Sequence, residues 1–168
     1  DSLQQYHLVD KKLPDVTNAN CWAHARRAFA DAVKAMDKKD PQMVRQSVAY
    51  QALQKIAEFY NADTELKELS SEERLQKRQE YIRPMVEEFF AWVKQQVADC
   101  TVPPKSKTGQ GLNFIINQEK YLKIFLEDGD VPIDNSASER AIRTFCLGKK
   151  NWMFHNTANG ASASASVY

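Results

Sequence analysis

The sequence predicts a mainly α protein, a bundle of long helices with less regular ends. Three observations carry that expectation. All five glycines fall after residue 108, so the first two thirds of the chain lacks the residue that most hairpin turns require. Apolar residues recur at gaps of three and four over most of the length. The prolines at positions 14, 41, 84, 103, 104 and 132 stand between or just inside the periodic stretches, where joints are expected.

In chain order, Leu3, Tyr6 and Val9 form one short helical face, and residues 15–23 read as a short strand. From Trp22 the helical period is clear, through Ala25, Phe29, Ala32 or Val33, and Met36. Pro41 suits the first turn of a second helix. Its face is Ala49, Leu53, Ile56 and Tyr60, and residues 41–61 would span roughly 30 Å at the α-helical rise. Ser70 or Ser71 caps a third helix, with Glu73 placed for a capping box with Ser70. Its face is Leu75, Ile82, Val86, Phe89, Val93 and Val97, and Pro84 is expected to kink or split it. Residues 103–107 form a loop. A fourth helix carries Leu112, Ile115, Ile116, Leu122, Phe125 and Leu126 and ends at Gly129. A last helix runs from Asn135-Ser136 to about Leu147, stopped by Gly148, and the Gly/Ala/Ser-rich tail after Asn159 is expected to fray.

Composition excludes several classes. With 23 basic and 22 acidic side chains the net charge is +1, neither a polybasic tail nor an acidic disordered chain. No apolar run approaches the ~18 residues of a membrane span, and the polar start has no signal-peptide pattern. Cys21, Cys100 and Cys146 form no C-x-x-C pair, so they read as buried small hydrophobes in a reducing compartment. There is no Ser-His-Asp order, Gly-rich phosphate loop or H-E-x-x-H. Charge is uneven, however: Arg140, Arg143, Lys149 and Lys150 occur with no acid from residue 140 onward, giving +4 there and −3 before it. A basic end on a near-neutral body fits an anionic partner, or equally a basic helix end near its own C-terminal dipole.

Two segments carry chemistry. In 131–143, Ser136 and Glu139 have capping-box spacing, and Glu139 stands four residues before Arg143, as in a helix ion pair. Alternatively, a carboxylate held on a first helical turn binds a hard divalent cation together with a second acid, while Arg140 and Arg143 meet phosphates. In 20–29, Trp22, Ala25 and Phe29 share a core face, and Arg26 and Arg27 lie near another, able to touch a phosphate backbone. His24 reads as a surface or hydrogen-bonded histidine.

Cys21-Trp22-Ala23-His24-Ala25-Arg26-Arg27-x-Phe29 resembles a segment of insertion-sequence-66 family transposases. Residues 129–154 resemble that family's C-terminal signature: Gly129-x-Val131-Pro132-Ile133-Asp134-Asn135, then Ser138-Glu139-Arg140-Ala141-Ile142-Arg143, then Gly148-Lys149-Lys150-Asn151-Trp152-x-Phe154. The resemblance implies a transposase of the DDE type with an RNase H-like core, using three carboxylates and Mg²⁺ (or Mn²⁺). Glu139 matches the third acid, and Asp1 stands where the second is expected. The first acid and the family's DNA-binding region have no counterpart in the sequence.

The implied organisation is a remnant of the RNase H-like α/β core in 1–30, a helical insertion in 31–130, and the core's C-terminal helix with a basic tail in 131–168. Implied partners are transposon-end and target DNA, with a homo-oligomer as the active form, a cytoplasmic location and no membrane. Arg26, Arg27, Arg140, Arg143, Lys149, Lys150 and Trp152 are the implied DNA contacts. The chain then reads as a transposase fragment, expected to be inactive alone. The alternative is a non-catalytic helical module that binds DNA or another protein, in which Glu139 only caps its helix.

Overall fold

The structure, a computed structural model, describes residues 17–36 and 40–136. The chain divides into two compact units, residues 1–134 and 135–168, and the fold below is that of the first. Its helices are α1 (Trp22–Lys34), α2 (Pro41–Gln46), α3 (Val48–Glu65), α4 (Ser71–Lys77), a π turn (Arg78–Ile82), α5 (Arg83–Ala98), α6 (Lys107–Asn117), the single turn α7 (Glu119–Leu122) and a 3₁₀ turn (Ile124–Leu126). No strand occurs among the described residues. The strand expected at 15–23 is therefore corrected over its described part. Residues 17–21 are irregular, Cys21 is the extended N-cap, and Trp22 already begins α1.

The core lies where α1, α3, α5 and α6 meet. Trp22, Phe29, Ile56, Phe59, Val86, Phe89, Phe90, Val93, Leu112 and Ile115 are all buried in it. Trp22 is the hub, with its ring 4.7 Å from that of Phe59 in an edge-on arrangement and about 6 Å from those of Phe89 and Phe90. At Gly111, α6 comes so close to α1 that a Cβ would stand 2.9 Å from the Phe29 ring, so only glycine permits this crossing.

Further expectations are corrected. The helix predicted from Pro41 onward breaks at Ser47, whose extended backbone ends α2 while its hydroxyl caps α3 by accepting from the Tyr50 amide at 3.2 Å. Within α3 the buried positions are Ala49, Ala52, Ile56, Phe59 and Asp63, so the face is rotated slightly from the predicted one and ends on an acid.

The third helix is split at Pro84 as expected, through the π turn just before it. Pro84 has no amide to donate and its ring crowds the carbonyl of Glu80, which lies inside the wider turn. The predicted fourth helix is three pieces, interrupted at Gln118 and again at Lys123, although Leu112, Ile115, Leu122, Phe125 and Leu126 are buried as expected. Cys100 is exposed rather than buried, and Cys21 is half-buried. Cys146 lies outside the described residues, as do the face of Leu3, Tyr6 and Val9, the helix body beyond Ser136 and the tail.

The Ser70 capping box forms as predicted. The Ser70 hydroxyl accepts from the Glu73 amide at 3.3 Å, and the Glu73 carboxylate accepts from the Ser70 amide at 3.1 Å and from its hydroxyl at 2.7 Å. These two bonds from Ser70 hold the Glu73 carboxyl below its ordinary pKa of 4.5.

Candidate functional site

Residues 20–22 and residues 118–133, about a hundred positions apart in sequence, are drawn together by four hydrogen bonds. The Trp22 amide donates to the Ile133 carbonyl at 3.2 Å, and its indole Nε1 donates to the Leu122 carbonyl at 2.8 Å. The Asn20 amide donates to the Tyr121 carbonyl at 3.1 Å, and its side-chain amide to Gln118 Oε1 at 2.8 Å. The first amides of a helix have no partner within it. At α1 one of these is taken by Ile133, so the start of α1 and the Val131–Asp134 segment hold one another.

Beside this junction stands Tyr60 of α3. Burial, followed by the Asp134 carboxylate and the Cys21 thiol, pushes its phenol well above the ordinary value of 10.0, while Arg26 acts in the opposite sense. Tyr60, Asp134, Cys21 and Arg26 thus form one electrostatic neighbourhood in which the phenol stays neutral. Arg26 and Arg27 are both exposed on α1, as a phosphate-contacting face requires. Arg27 also lines an open depression of about 470 Å³ between α1 and α6, together with His24, Asp31, Lys107, Gln110 and Phe114.

The loop from Glu127 to Asp134 has no helix or strand to satisfy its carbonyls. Two arginines do so instead. Arg78, on the π turn and 2% exposed, is held through Nε at 2.7 Å and Nη2 at 3.2 Å by the Asp63 carboxylate, itself 5% exposed. Its remaining nitrogen, Nη1, donates to the carbonyls of Phe125 at 2.8 Å, Asp128 at 3.0 Å and Val131 at 2.9 Å. Arg74 of α4 donates to Gly129 at 2.9 Å and to the carbonyls of Leu66, Lys67 and Leu69. Gly129 lies so close to α4 that a Cβ would stand 2.0 Å from the Ser71 carbonyl oxygen.

Sequence reasoning did not single out Asp63, Arg74 or Arg78, and read Tyr60 only as part of a helix face. A signal for two of them was present: Asp63 continues the buried spacing of α3, and Arg78 falls between Leu75 and Ile82 on the apolar face. Of the predicted site residues, the structure places Arg26 and Arg27. Asp1, Glu139, Arg140, Arg143, Lys149, Lys150 and Trp152 lie outside the described residues. Among the described residues no three His, Cys, Asp or Glu side chains gather as a metal site, and no helix is long and apolar enough to cross a membrane.

The described residues thus form a helical bundle that clamps an early helix start onto a late Pro-Ile-Asp segment. The family model described as "Transposase IS66 family" matches residues 1–163, and the chain belongs to that family. Among curated proteins it is similar to three from Sinorhizobium fredii named as uncharacterized. It is 32% identical to y4hP over 158 residues, covering 92% of this chain and 28% of that protein. It is 27% identical to y4qI over 150 residues, covering 89% and 26%, and 27% identical to y4jD over 147 residues, covering 88% and 27%. The chain thus spans about a quarter of the length of these relatives. No solved structure gives a significant match.

Proposed function

We propose that this chain is part of the catalytic region of a DDE-type DNA transposase, which cleaves DNA and transfers strands of an insertion sequence. Membership of the family supports the class. The observation that carries the reading to a site is the hydrogen bond from the Trp22 amide to the Ile133 carbonyl. It joins the two segments whose residues most resemble the family; exposed Arg26 and Asp134 both act on Tyr60, and Asp134 stands five residues before Glu139 in sequence.

In this reading Asp1 and Glu139 are the metal ligands. Both are carboxylates, the hard oxygen donors that Mg²⁺ or Mn²⁺ prefers. A metal held by Asp1 and Glu139 would supply Lewis-acid stabilisation of charge on the oxygens exchanged in an in-line phosphoryl transfer. Arg26, Arg27, Arg140, Arg143, Lys149 and Lys150 neutralise the phosphates of transposon-end and target DNA, and Trp152 stacks on a base or packs beneath that face. The remaining acid and the rest of an RNase H-like α/β core come from other parts of the transposase. The active form is a homo-oligomer in the cytoplasm, and the chain alone transfers no strands.

The test uses a polypeptide that carries this chain at the full length of its relatives. Glu139→Gln lowers Mg²⁺-dependent strand transfer at least about a hundredfold while DNA binding is retained. In the same polypeptide, Arg26→Glu with Arg27→Glu weakens DNA binding and flattens its salt dependence. Full activity in Glu139→Gln overturns the assignment and leaves a non-catalytic helical binding module.

A further inference from the structure

Beside their close crossing at Gly111, α1 and α6 border the open depression of about 470 Å³. That volume lies within the ~300–1,000 Å³ usual for sites that enclose a small ligand. A purely electrostatic contact with duplex DNA needs no such hollow, only a charged surface along the backbone.

The lining divides by chemistry. Ala25, Ala28 and half-buried Phe114 make part of it apolar, with one aromatic ring. Arg27 from α1 and Lys107 from α6, both exposed, put a cation on each helix. The ion pairs among the described residues take Lys55, Lys77, Arg78, Arg83, Lys94 and Lys123, and leave Arg27 and Lys107 out. Asp31 and Gln110 supply acceptors. The Gln110 side-chain nitrogen donates to the Lys105 carbonyl at 2.9 Å, which ties that nitrogen to the chain and leaves Oε1 as an acceptor. A plain phosphate track gains nothing from an acid in its lining, whereas a site that reads a base does.

We propose that the depression between α1 and α6 holds one unpaired nucleotide of single-stranded DNA, with its base against Phe114 and its flanking phosphates on Arg27 and Lys107. A positively charged groove with a ring to stack on is the usual means of holding a single strand. Inside a duplex the base is stacked on its neighbours and cannot enter such a hollow. Asp31 and the Gln110 oxygen accept from an exocyclic amine, which cytosine, adenine and guanine carry and thymine lacks. The proposal rests on the reading of this chain as part of a DNA transposase. It adds Lys107 and Phe114, from outside the two segments that resemble the family, to the DNA contacts.

The experiment uses the full-length polypeptide, with oligodeoxycytidylate, a blunt duplex of mixed sequence and free deoxycytidine monophosphate as probes. Phe114→Leu keeps the apolar bulk and removes the ring. It is expected to weaken single-strand binding at least about fivefold and to leave duplex binding within about twofold of the parent. Lys107→Gln is expected to lower the salt slope for the single strand by about 0.7, the share of one phosphate. An oligomer carrying one 5-iodocytosine is expected to cross-link on irradiation to the peptide that contains Phe114. The cross-link and Lys107→Gln, at an exposed position, keep the result independent of any loss of folding in Phe114→Leu.

Unchanged single-strand binding in Phe114→Leu, or cross-links confined to peptides outside α1 and α6, overturn the pocket. Full displacement of the oligomer by equimolar deoxycytidine monophosphate also overturns it, since that marks a site for free nucleotide. Strand transfer by Glu139→Gln is read separately. Its loss beside any of these results leaves the proposed function standing, and its retention overturns the metal-ligand assignment without moving the cross-link.

Discussion

Around Trp22 the chain is held by rings, and around Arg78 it is held by directed donors. The aromatic cluster joins α1, α3 and α5 through faces and edges 4.7 to about 6 Å apart, contacts that are strong in sum and tolerant of small shifts. The arginine clamp gathers a loop through carbonyls 2.8–3.0 Å from one nitrogen, contacts that fix a backbone and tolerate little. The first arrangement makes a bundle; the second makes one particular loop path. Trp22 takes part in both, because its ring lies in the cluster while its two N–H groups hold Leu122 and Ile133. The difference predicts that damage to the first region is global, whereas damage to the second is local.

The largest expected effect breaks the first region. Trp22 is fully buried, and Trp22→Ala removes its ring from four aromatic neighbours and leaves the Leu122 carbonyl without its donor. The expected loss is about 3–5 kcal/mol of unfolding free energy, read by urea denaturation of the chain. A loss under about 1 kcal/mol would show that the cluster is not the organising core. Arg78→Lys supplies the contrast: amide hydrogen exchange changes in the 127–134 loop and not in α3.

The same contrast explains how much could be read from the sequence. Packing of the first kind follows the 3.6-residue period, so the helices, the core positions of α1, those of α5 up to Val93 and the Ser70 cap were legible, whereas Val97, expected on the same face, is exposed. The interruptions were not. Neither Ser47 nor Gln118 is glycine or proline, and Ser47 lacks the partner acid three residues on that made Ser70 recognisable. The long-range junction was illegible for another reason. A backbone bond between Trp22 and Ile133 leaves no mark on either side chain, and only resemblance set those two segments side by side. Asp63 and Arg78 were readable in principle, as charges at apolar-face positions. What they hold was not, because their partners are carbonyls, which every residue has.

A smaller effect sharpens the second region at its entrance. Ser70 opens the helix that carries Arg74 and leads into Arg78, and Ser70→Ala is expected to cost about 1 kcal/mol. The change also releases the Glu73 carboxyl toward its ordinary value, because both bonds that lower it come from Ser70 and the hydroxyl's is the larger. A lowered folded-state pKa means that this contribution is complete above the ordinary carboxylate range. It is lost as pH falls through the lower folded-state value. The stability gap between parent and Ser70→Ala should therefore narrow on acidification below pH 4.5, with the Glu73 titration followed by NMR. A gap that widened in acid would remove the capping box as its source.

The smallest effect lies at the far end of the same helical run and has the opposite sign. Helix α5 ends in a Schellman arrangement, with the Cys100 amide donating to Val97 and the Thr101 amide to Gln96, both at 3.2 Å. The position between those bonds needs a left-handed residue, and Cys100 adopts it at φ 52°. A side chain there costs roughly 1–2 kcal/mol that glycine avoids, while glycine gives back about 0.5–1 kcal/mol through its greater freedom when unfolded. Cys100→Gly should therefore stabilise the chain by about 0.5–1 kcal/mol, measured as a higher urea midpoint at unchanged slope. Because Cys100 is exposed, no packing is lost to offset that gain. The clamp at the head of the run should not respond, so loop exchange at 127–134 slows only as far as global unfolding limits it. A destabilised Cys100→Gly would mean that the thiol makes a contact worth more than the strain, and that the two ends of the run are not independent.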